Sequence, residues 1–236
     1  MRLIASVALA GCVLCGAVPS NAAVMTLDTA ARGWVFANGI ANGRNPANNT
    51  FTGWGADTSD VNSWFGFDLS SLSGTVVAAE LLLDIDAYMS PDSSETLVLR
   101  HVATPPGVIG TIDSGAHFTD LMTGEVFGSR AFTAGDSGFL RSIPLNASAV
   151  ADLDMSIGGI WELGGHLSTV SRSGPYEAIF WGAIGDPSTT RLRITTVPEP
   201  AGVALMAIGL FALISRRRAP AGVLRSETKR RNVLQV

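Results

Sequence analysis

An apolar segment near the end of the chain limits what the rest of the sequence can fold into. Ala201 to Ser215 carries no charge and is apolar on every helical face, which suits lipid better than one side of a soluble core. At about 1.5 Å per residue it covers roughly 22 Å, against about 30 Å for the hydrocarbon core of a bilayer. Arg216, Arg217 and Arg218 follow it, as expected at the cytoplasmic end of a membrane helix. We therefore predict a short transmembrane helix at about 201–215, with a buried terminal helix as the alternative.

A Pro-Glu-Pro tripeptide, Pro198-Glu199-Pro200, comes directly before this segment. The order of tripeptide, short helix and basic stop resembles the PEP-CTERM sorting signal of Gram-negative bacteria. The resemblance implies that residues 197–218 hold an exported protein transiently in the inner membrane until an exosortase-like protease or transpeptidase cuts near the tripeptide. It also implies that the tripeptide serves recognition and processing, while the three arginines orient and arrest the helix.

The start of the chain predicts a secretory signal peptide over residues 1–22. Met1-Arg2 is a short positive region, Leu3 to Val18 is apolar, and Ser20-Asn21-Ala22 is a small-residue cleavage pattern. We expect export by the Sec route with cleavage after Ala22, or after Ala23 as the alternative.

Both cysteines of the chain, Cys12 and Cys15, lie inside this signal peptide. The exported part therefore has no thiol, which excludes disulfides and thiolate metal sites. Leu9-Ala10-Gly11-Cys12 also resembles a lipoprotein cleavage box, which leaves lipidation of Cys12 as a lower-ranked alternative to ordinary cleavage.

Charge distinguishes the exported part from the C-terminal tail. Residues 24–197 contain eight arginines, no lysine and eighteen acidic residues, a net charge of −10 with histidine neutral. This acidity argues against a nucleic-acid partner, because phosphate binding needs a basic surface. Residues 219–236 are polar and basic, and we predict a disordered tail there.

Residues 23–196 predict one all-β ectodomain. Short runs rich in aromatic and β-branched residues lie between Gly, Pro, Asn, Asp and Ser, and several alternate in polarity. In Arg191–Thr195, for example, Leu192 and Ile194 share one face and the arginines the other. Such strands joined by Gly-rich turns indicate a β-sandwich. One short helix is predicted at Asn146 to Leu153, capped by Asn146.

The stretch from Ser63 to Gly74, followed by Ala78 to Asp84, contains the pattern FDLS…G…A-x-L-x-L. This pattern resembles the core of DNRLRE-type jelly-roll domains, some of which are classed as carbohydrate-binding modules. The resemblance implies a jelly-roll-like β-sandwich in a surface or carbohydrate-related setting. Its motifs are packing motifs, so it implies a fold and not a chemistry.

Catalytic chemistry finds little support in the sequence. Gly135-Asp136-Ser137-Gly138 is similar to the nucleophile loop of trypsin-like proteases, but it continues into a strand, and a turn explains it fully. His101, His117 and His166 have no metal-ligand spacing. We therefore predict no catalytic residue and no enzyme activity.

Two acidic pairs offer the oxygen ligands that Ca²⁺ prefers: Asp84 with Asp86 on one strand, and Asp57 with Asp60 in a polar loop. Solvated acidic positions are the commoner explanation for both. We therefore predict no metal and no other cofactor, with Ca²⁺ as the one cation to test.

Aromatic rings on a sheet face or loop are the usual platform for sugars. Trp54, between two glycines in a predicted loop, is the first candidate for glycan binding, followed by Tyr88 and Tyr176. The alternative for Trp54 is packing over a sandwich edge.

Taken with the resemblances, these features predict a non-enzymatic secreted or surface protein. Its expected role is structural or adhesive, in the cell envelope or the extracellular polysaccharide matrix of a biofilm, with exopolysaccharide as a partner. A carbohydrate-binding module proper is the first alternative and a polysaccharide-acting hydrolase the second.

Overall fold

Antiparallel β-strands dominate the computed structural model, which describes residues 21–55, 59–181 and 185–198. The prediction of an all-β fold is confirmed. The strands and helices in chain order are β1 (Ala23–Asp28), β2 (Ala31–Phe36), β3 (Thr50–Trp54), β4 (Asp60–Asp68), β5 (Thr75–Met89), β6 (Glu95–His101), α1 (Gly115–Thr123), β7 (Val126–Phe132), β8 (Phe139–Pro144), α2 (Ala147–Met155), β9 (Ile160–Leu167), β10 (Glu177–Trp181) and β11 (Thr190–Val197).

Hydrogen bonds join these strands into one continuous antiparallel sheet. The order is β1-β11-β5-β10-β3-β4-β9-β6-β7, with β2 also paired to β4 and β8 to β5. Strands β10 and β11 follow one another along β5, so that Ala178 pairs with Met89 and Val197 pairs with Thr75. We call these two extremes of β5 the Met89 end and the Val197 end of the sheet.

The sheet curls until its outer strand β7 meets β8. Asn146 N donates to Phe127 O at 2.7 Å, and Arg130 Nη1 donates to Ser142 O at 3.2 Å. The inner faces of strands from both parts of the sheet therefore pack on one another around a common core.

Aromatic side chains fill this main core. Phe65 stacks on Trp181 with ring centroids 5.8 Å apart, and Phe127 stacks on Trp161 at 6.1 Å. The inward face predicted for β11 is confirmed, because Leu192 and Ile194 are fully buried in the same cluster. Each such side chain contributes about 1.5–3 kcal/mol through burial of apolar surface.

A smaller core lies on the opposite face of β4, where Trp64 points away from Phe65. Helix α1 covers it through Leu121. Gly164 of β9 permits this packing, since a Cβ there would lie 2.8 Å from the backbone of Leu121. This contact sets the position of α1 over the sheet.

The two helices show different degrees of agreement with the sequence. Helix α2 is confirmed, and its Asn146 Oδ1 accepts a hydrogen bond from Ala149 N at 3.0 Å as an N-cap should. Helix α1 was not predicted. Only His117 and Leu121 are buried in this helix. Two buried positions make too sparse a hydrophobic pattern to distinguish a helix from a loop in the sequence.

Among the described residues, no helix has the length and apolarity needed to cross a bilayer. The predicted transmembrane helix at 201–215 and the predicted tail at 219–236 lie outside the described residues. So does the predicted signal peptide, apart from Asn21 and Ala22.

Candidate functional site

The last strand of the domain meets the predicted processing tripeptide directly. Val197 ends β11 in its pairing with Thr75, and Pro198 comes next as an exposed residue. Proline lacks the N–H that the ladder would need, so it ends the strand. Glu199 and Pro200 lie outside the described residues, as do Arg216, Arg217 and Arg218.

Strand β11 is an interior strand of the sheet at this point. Thr196 pairs with Ala23 of β1 on one side and with Val76 of β5 on the other. The predicted signal cleavage site after Ala22 therefore lies beside the start of the predicted sorting signal. Cleavage at Ala22 stays a prediction, and the exposure of that residue is compatible with it.

The three candidate glycan-binding aromatics lie around the start of β10. Trp54 pairs with Glu177 and with Asp60, and Tyr88 pairs with Ile179. Because Ala178 pairs with Met89, this region is the Met89 end of the sheet.

The prediction of a loop around Trp54 is wrong, because this residue belongs to a strand. Trp54 ends β3, where strands on both sides pair with its backbone, and the residue is half-buried. Tyr88 is half-buried against the main core, and its hydroxyl donates to Asp92 O at 2.7 Å. Tyr176 is the most accessible of the three, with 40% of its surface exposed.

Three carboxylates that sequence reasoning missed meet at the same end. Asp92, Glu95 and Glu177 have oxygen atoms within 4.8 Å of one another, and both glutamates are fully buried. No spacing signals this cluster, because Glu177 lies far along the chain from the other two. Oxygen atoms so arranged are chemically suited to Ca²⁺.

Protein donors already satisfy the buried carboxylates of this cluster. Ser90 Oγ donates to Glu95 at 2.7 Å, and Ser171 Oγ donates to Glu177 at 3.0 Å. Burial opposes ionisation of Glu177, but the backbone N–H groups of Arg172, Ser171 and Ser173 hold its pKa below the ordinary value. These hydrogen bonds account for the cluster without a cation.

Of the acidic pairs proposed from the sequence, the structure describes Asp84 with Asp86 and only Asp60 of the other pair. Asp84 and Asp86 share a face of β5, and burial together with the charge of Asp84 raises the pKa of Asp86. Asp60 forms an ion pair with Arg172 at 2.6 Å, and Asp57 lies outside the described residues. Neither pair gathers a third carboxylate within the part of the chain that the structure describes.

The Gly-Asp-Ser-Gly sequence forms a structural turn. Asp136 accepts from Thr133 N at 2.8 Å and forms an ion pair with Arg141. Ser137 Oγ accepts a hydrogen bond from Tyr88 N at 3.0 Å. Gly138 has φ of 78°, in the left-handed region that favours glycine. The turn interpretation of the sequence agrees with this geometry.

The histidines lie on three separate elements. His101 ends β6 with its ring edge-on to Phe127, with the two centroids 5.7 Å apart. His117 is buried in α1, and His166 is buried in β9. Burial, followed by the charge of Arg100, lowers the pKa of His166 to about 4, so its ring is neutral at pH 7.

A cavity of about 210 Å³ opens between α1 and the strands at the Met89 end. We call it the α1 cavity. Its polar and apolar walls are formed chiefly by Asp60, Asn62, Phe118, Met122, His166 and Arg172.

A second cleft, of about 220 Å³, lies beside β9 where β6 has ended. Asp152 and Glu162 line it together with His101. Both carboxylates have structural partners: Asp152 accepts from Trp161 Nε1 at 2.7 Å, and Glu162 forms an ion pair with Arg44. Glu162 also accepts from Gly107 N at 3.0 Å through the same oxygen.

Comparison with protein-family models matches residues 196–218 to the PEP-CTERM protein-sorting motif. The match spans the tripeptide, the apolar segment and the three arginines, and it confirms the sorting signal predicted from them. Such signals mark exported proteins that transit the membrane to the cell surface, with an exosortase as processing partner. No curated protein matches the chain.

Proposed function

We propose that this chain is a non-enzymatic surface protein with a structural or adhesive role in the extracellular polysaccharide matrix. It leaves the cytoplasm by the Sec route and is held in the inner membrane by its C-terminal segment. An exosortase-like enzyme then cuts near Pro198-Glu199-Pro200 and releases the ectodomain, a jelly-roll-like β-sandwich, from its membrane segment.

The junction between β11 and the sorting motif carries this proposal. The motif match begins at Thr196, and the last strand pairing is that of Val197 with Thr75. A cut at or after Pro198 therefore breaks no strand and leaves β11 hydrogen-bonded on both sides. A domain with this arrangement can lose its membrane segment and keep its fold.

The engagement of its acidic side chains supports a non-enzymatic role. Asp136, Glu95 and Glu177 are each held by ion pairs or hydrogen bonds that stabilise turns and strands. A general acid or base needs an oxygen or nitrogen atom that can form a hydrogen bond with the substrate. These residues serve the fold instead.

Expression of the full chain in a host with and without an exosortase tests the sorting step. After fractionation, the intact mass of the product should show a released species that begins near Ala23 and ends near the tripeptide, only when the exosortase is present. Its co-sedimentation with the polysaccharide matrix tests the role. An uncut membrane-held product that still carries Val236 would overturn the proposal.

Glu199→Ala and Glu227→Ala form a matched pair for this experiment. The first changes the tripeptide and the second changes the tail beyond the arginines. Glu199→Ala should stay in the membrane fraction, while Glu227→Ala is released like the parent. Normal release of Glu199→Ala contradicts processing at the tripeptide.

A carbohydrate-binding module proper is the second candidate, favoured by the position of Tyr176. This residue is 40% exposed at the Met89 end of the sheet, close in the strand order to Trp54 and Tyr88. Retention on a polysaccharide panel should fall for Tyr176→Ala and Trp54→Ala if these rings form a platform. Unchanged retention of both variants would remove them as sugar ligands.

A further inference from the structure

The α1 cavity has one apolar wall and one polar wall. Phe118 and Met122 of α1 contribute to the apolar wall together with Leu167 and Val170. Met122 keeps 38% of its surface exposed, so the protein covers it only in part.

The polar wall offers donors and acceptors without net charge. Arg172 forms an ion pair with Asp60 at 2.6 Å, so their charges cancel. Asn62 donates to Phe118 O at 3.1 Å and joins the strand to the helix. His166 is neutral at pH 7, and its Nδ1 has no hydrogen-bond partner among the described residues.

Two glycines give the cavity its shape. At Gly164, a Cβ would lie 2.8 Å from the backbone of Leu121 and would push α1 away. Gly53 has φ of 129°, and a Cβ there would collide with the carbonyl oxygen of Glu177. These two contacts fix the backbone positions of α1 and β3, the elements on either side of the cavity.

Size and location restrict what can enter. The volume of about 210 Å³ lies below the range of roughly 300–1,000 Å³ that is typical for drug-sized ligands, so one small ring is the natural occupant. The cavity lies at the Met89 end of the sheet, because its residue Asp60 pairs with Trp54 and Trp54 pairs with Glu177. It is thus remote from the sorting junction at Val197.

We propose that the α1 cavity binds one neutral sugar ring of an extracellular polysaccharide. The C–H face of the ring lies against Phe118 and Met122, and its hydroxyl groups exchange hydrogen bonds with Asp60 and Arg172. A charged ligand finds no uncompensated counter-charge there, which selects neutral sugars over uronic acids and sugars with a free amino group. This inference rests on the proposed matrix role and names the ligand class that would serve it.

Saturation-transfer NMR on the full chain, purified in a detergent without a sugar head group, tests the binding. The probes are glucose, galactose, mannose and N-acetylglucosamine, with glucosamine and glucuronate as charged comparators. At least one neutral hexose should bind with a Kd of about 1–10 mM, as expected for a ligand with so few atoms. Both charged comparators should bind at least about tenfold more weakly.

Met122→Ala and Met155→Ala are the matched variants. Both side chains are exposed methionines on a helix, and Met155 lies on α2, outside the α1 cavity. Met122→Ala should weaken binding of the neutral hexose at least about fivefold, while Met155→Ala leaves it unchanged.

Arg172→Gln provides a readout that a general loss of structure would not give. It leaves the Asp60 carboxylate without its counter-charge, so binding of neutral hexoses should fall while binding of glucosamine rises. Absence of binding for all four neutral sugars overturns the proposal. An affinity for neutral sugars that is unchanged in both Met122→Ala and Arg172→Gln also overturns it. Release and matrix localisation are scored separately, so a sorted protein that binds no sugar refutes the cavity assignment alone.

Discussion

Ala23 and Thr196 are cross-strand partners at the edge of the sheet, where β1 pairs with β11. The residue immediately after the predicted signal cleavage site therefore lies beside the residue at which the sorting motif begins. Strand β1 depends on β11 for its pairing, and β11 in turn connects it to β5. Both ends of the exported domain are thus secured by the same strand.

Truncation of a core side chain in β11 should destabilise the domain strongly. Ile194 is fully buried, so Ile194→Ala removes packing from the main core and should cost about 2–5 kcal/mol. Val24→Ala in neighbouring β1 is the control, because Val24 is 65% exposed and should cost less than about 0.5 kcal/mol. Urea unfolding followed by tryptophan fluorescence measures both. Equal losses would mean that β11 does not secure the core.

The ion pair between Arg44 and Glu162 should be worth far more than a surface pair. The Glu162 side chain is 1% exposed, and Arg44 also lies over the ring of Trp64 at 4.7 Å. Arg44→Met leaves the buried carboxylate without its counter-charge and should cost about 3 kcal/mol in the free energy of unfolding. Adding Glu162→Gln should restore part of this loss.

The pair of Arg193 with Glu80 is the control for that cycle. These side chains are 46% and 24% exposed, so Arg193→Met should cost less than about 1 kcal/mol. Chemical denaturation of the single and double variants gives the coupling energies. A similar cost for both arginines would contradict the assigned role of burial.

Gly164→Ala should move α1 away from the sheet. The added Cβ would lie 2.8 Å from the Leu121 backbone, which cannot swing aside as a side chain can. We expect a loss of about 1–3 kcal/mol together with weaker sugar binding in the α1 cavity. Gly43→Ala is the control, because a Cβ at Gly43 meets no atom within 4 Å. A stability unchanged by Gly164→Ala would show that the contact is not tight.

His166 should make the domain less stable as the pH falls below about 6.5. Burial, followed by the charge of Arg100, lowers its folded-state pKa from 6.5 to about 4. Between about pH 4 and pH 6.5 the unfolded chain takes up a proton on this histidine that the folded state does not. The stability that the neutral histidine contributes is therefore fully present above pH 6.5 and is lost as the pH falls to about 4. The loss attributable to this group is up to about 3 kcal/mol.

His166→Gln should flatten the dependence of unfolding free energy on pH between about 4 and 6.5. Asn62→Ala is the control, since Asn62 is another buried residue of the α1 cavity. This substitution removes no titratable group. It should lower the whole curve without changing its slope. An unchanged slope in His166→Gln would show that another group governs this pH range.

Local patterns predicted the parts of this protein whose cause is local. The alternation of Leu192 and Ile194 with charged residues identified the inward face of β11, and Asn146 identified the start of α2. The Pro-Glu-Pro tripeptide with its apolar segment and arginines identified the sorting signal, which the family comparison confirms. In each case the physical cause lies within a few neighbouring residues.

Long-range packing decided the rest. Trp54 became part of a strand because β4 and β10 pair with its backbone, and α1 formed where Gly164 allows Leu121 against the sheet. The α1 cavity exists only because the fold brings Asp60 and Arg172 together. The sequence by itself determined the all-β class and the sorting route, since strand polarity is read along the chain and the residues that resemble the sorting signal are consecutive. Only the tertiary structure determined which distant side chains share a cavity, a charge cluster or an ion pair, because those contacts join residues that the chain keeps far apart.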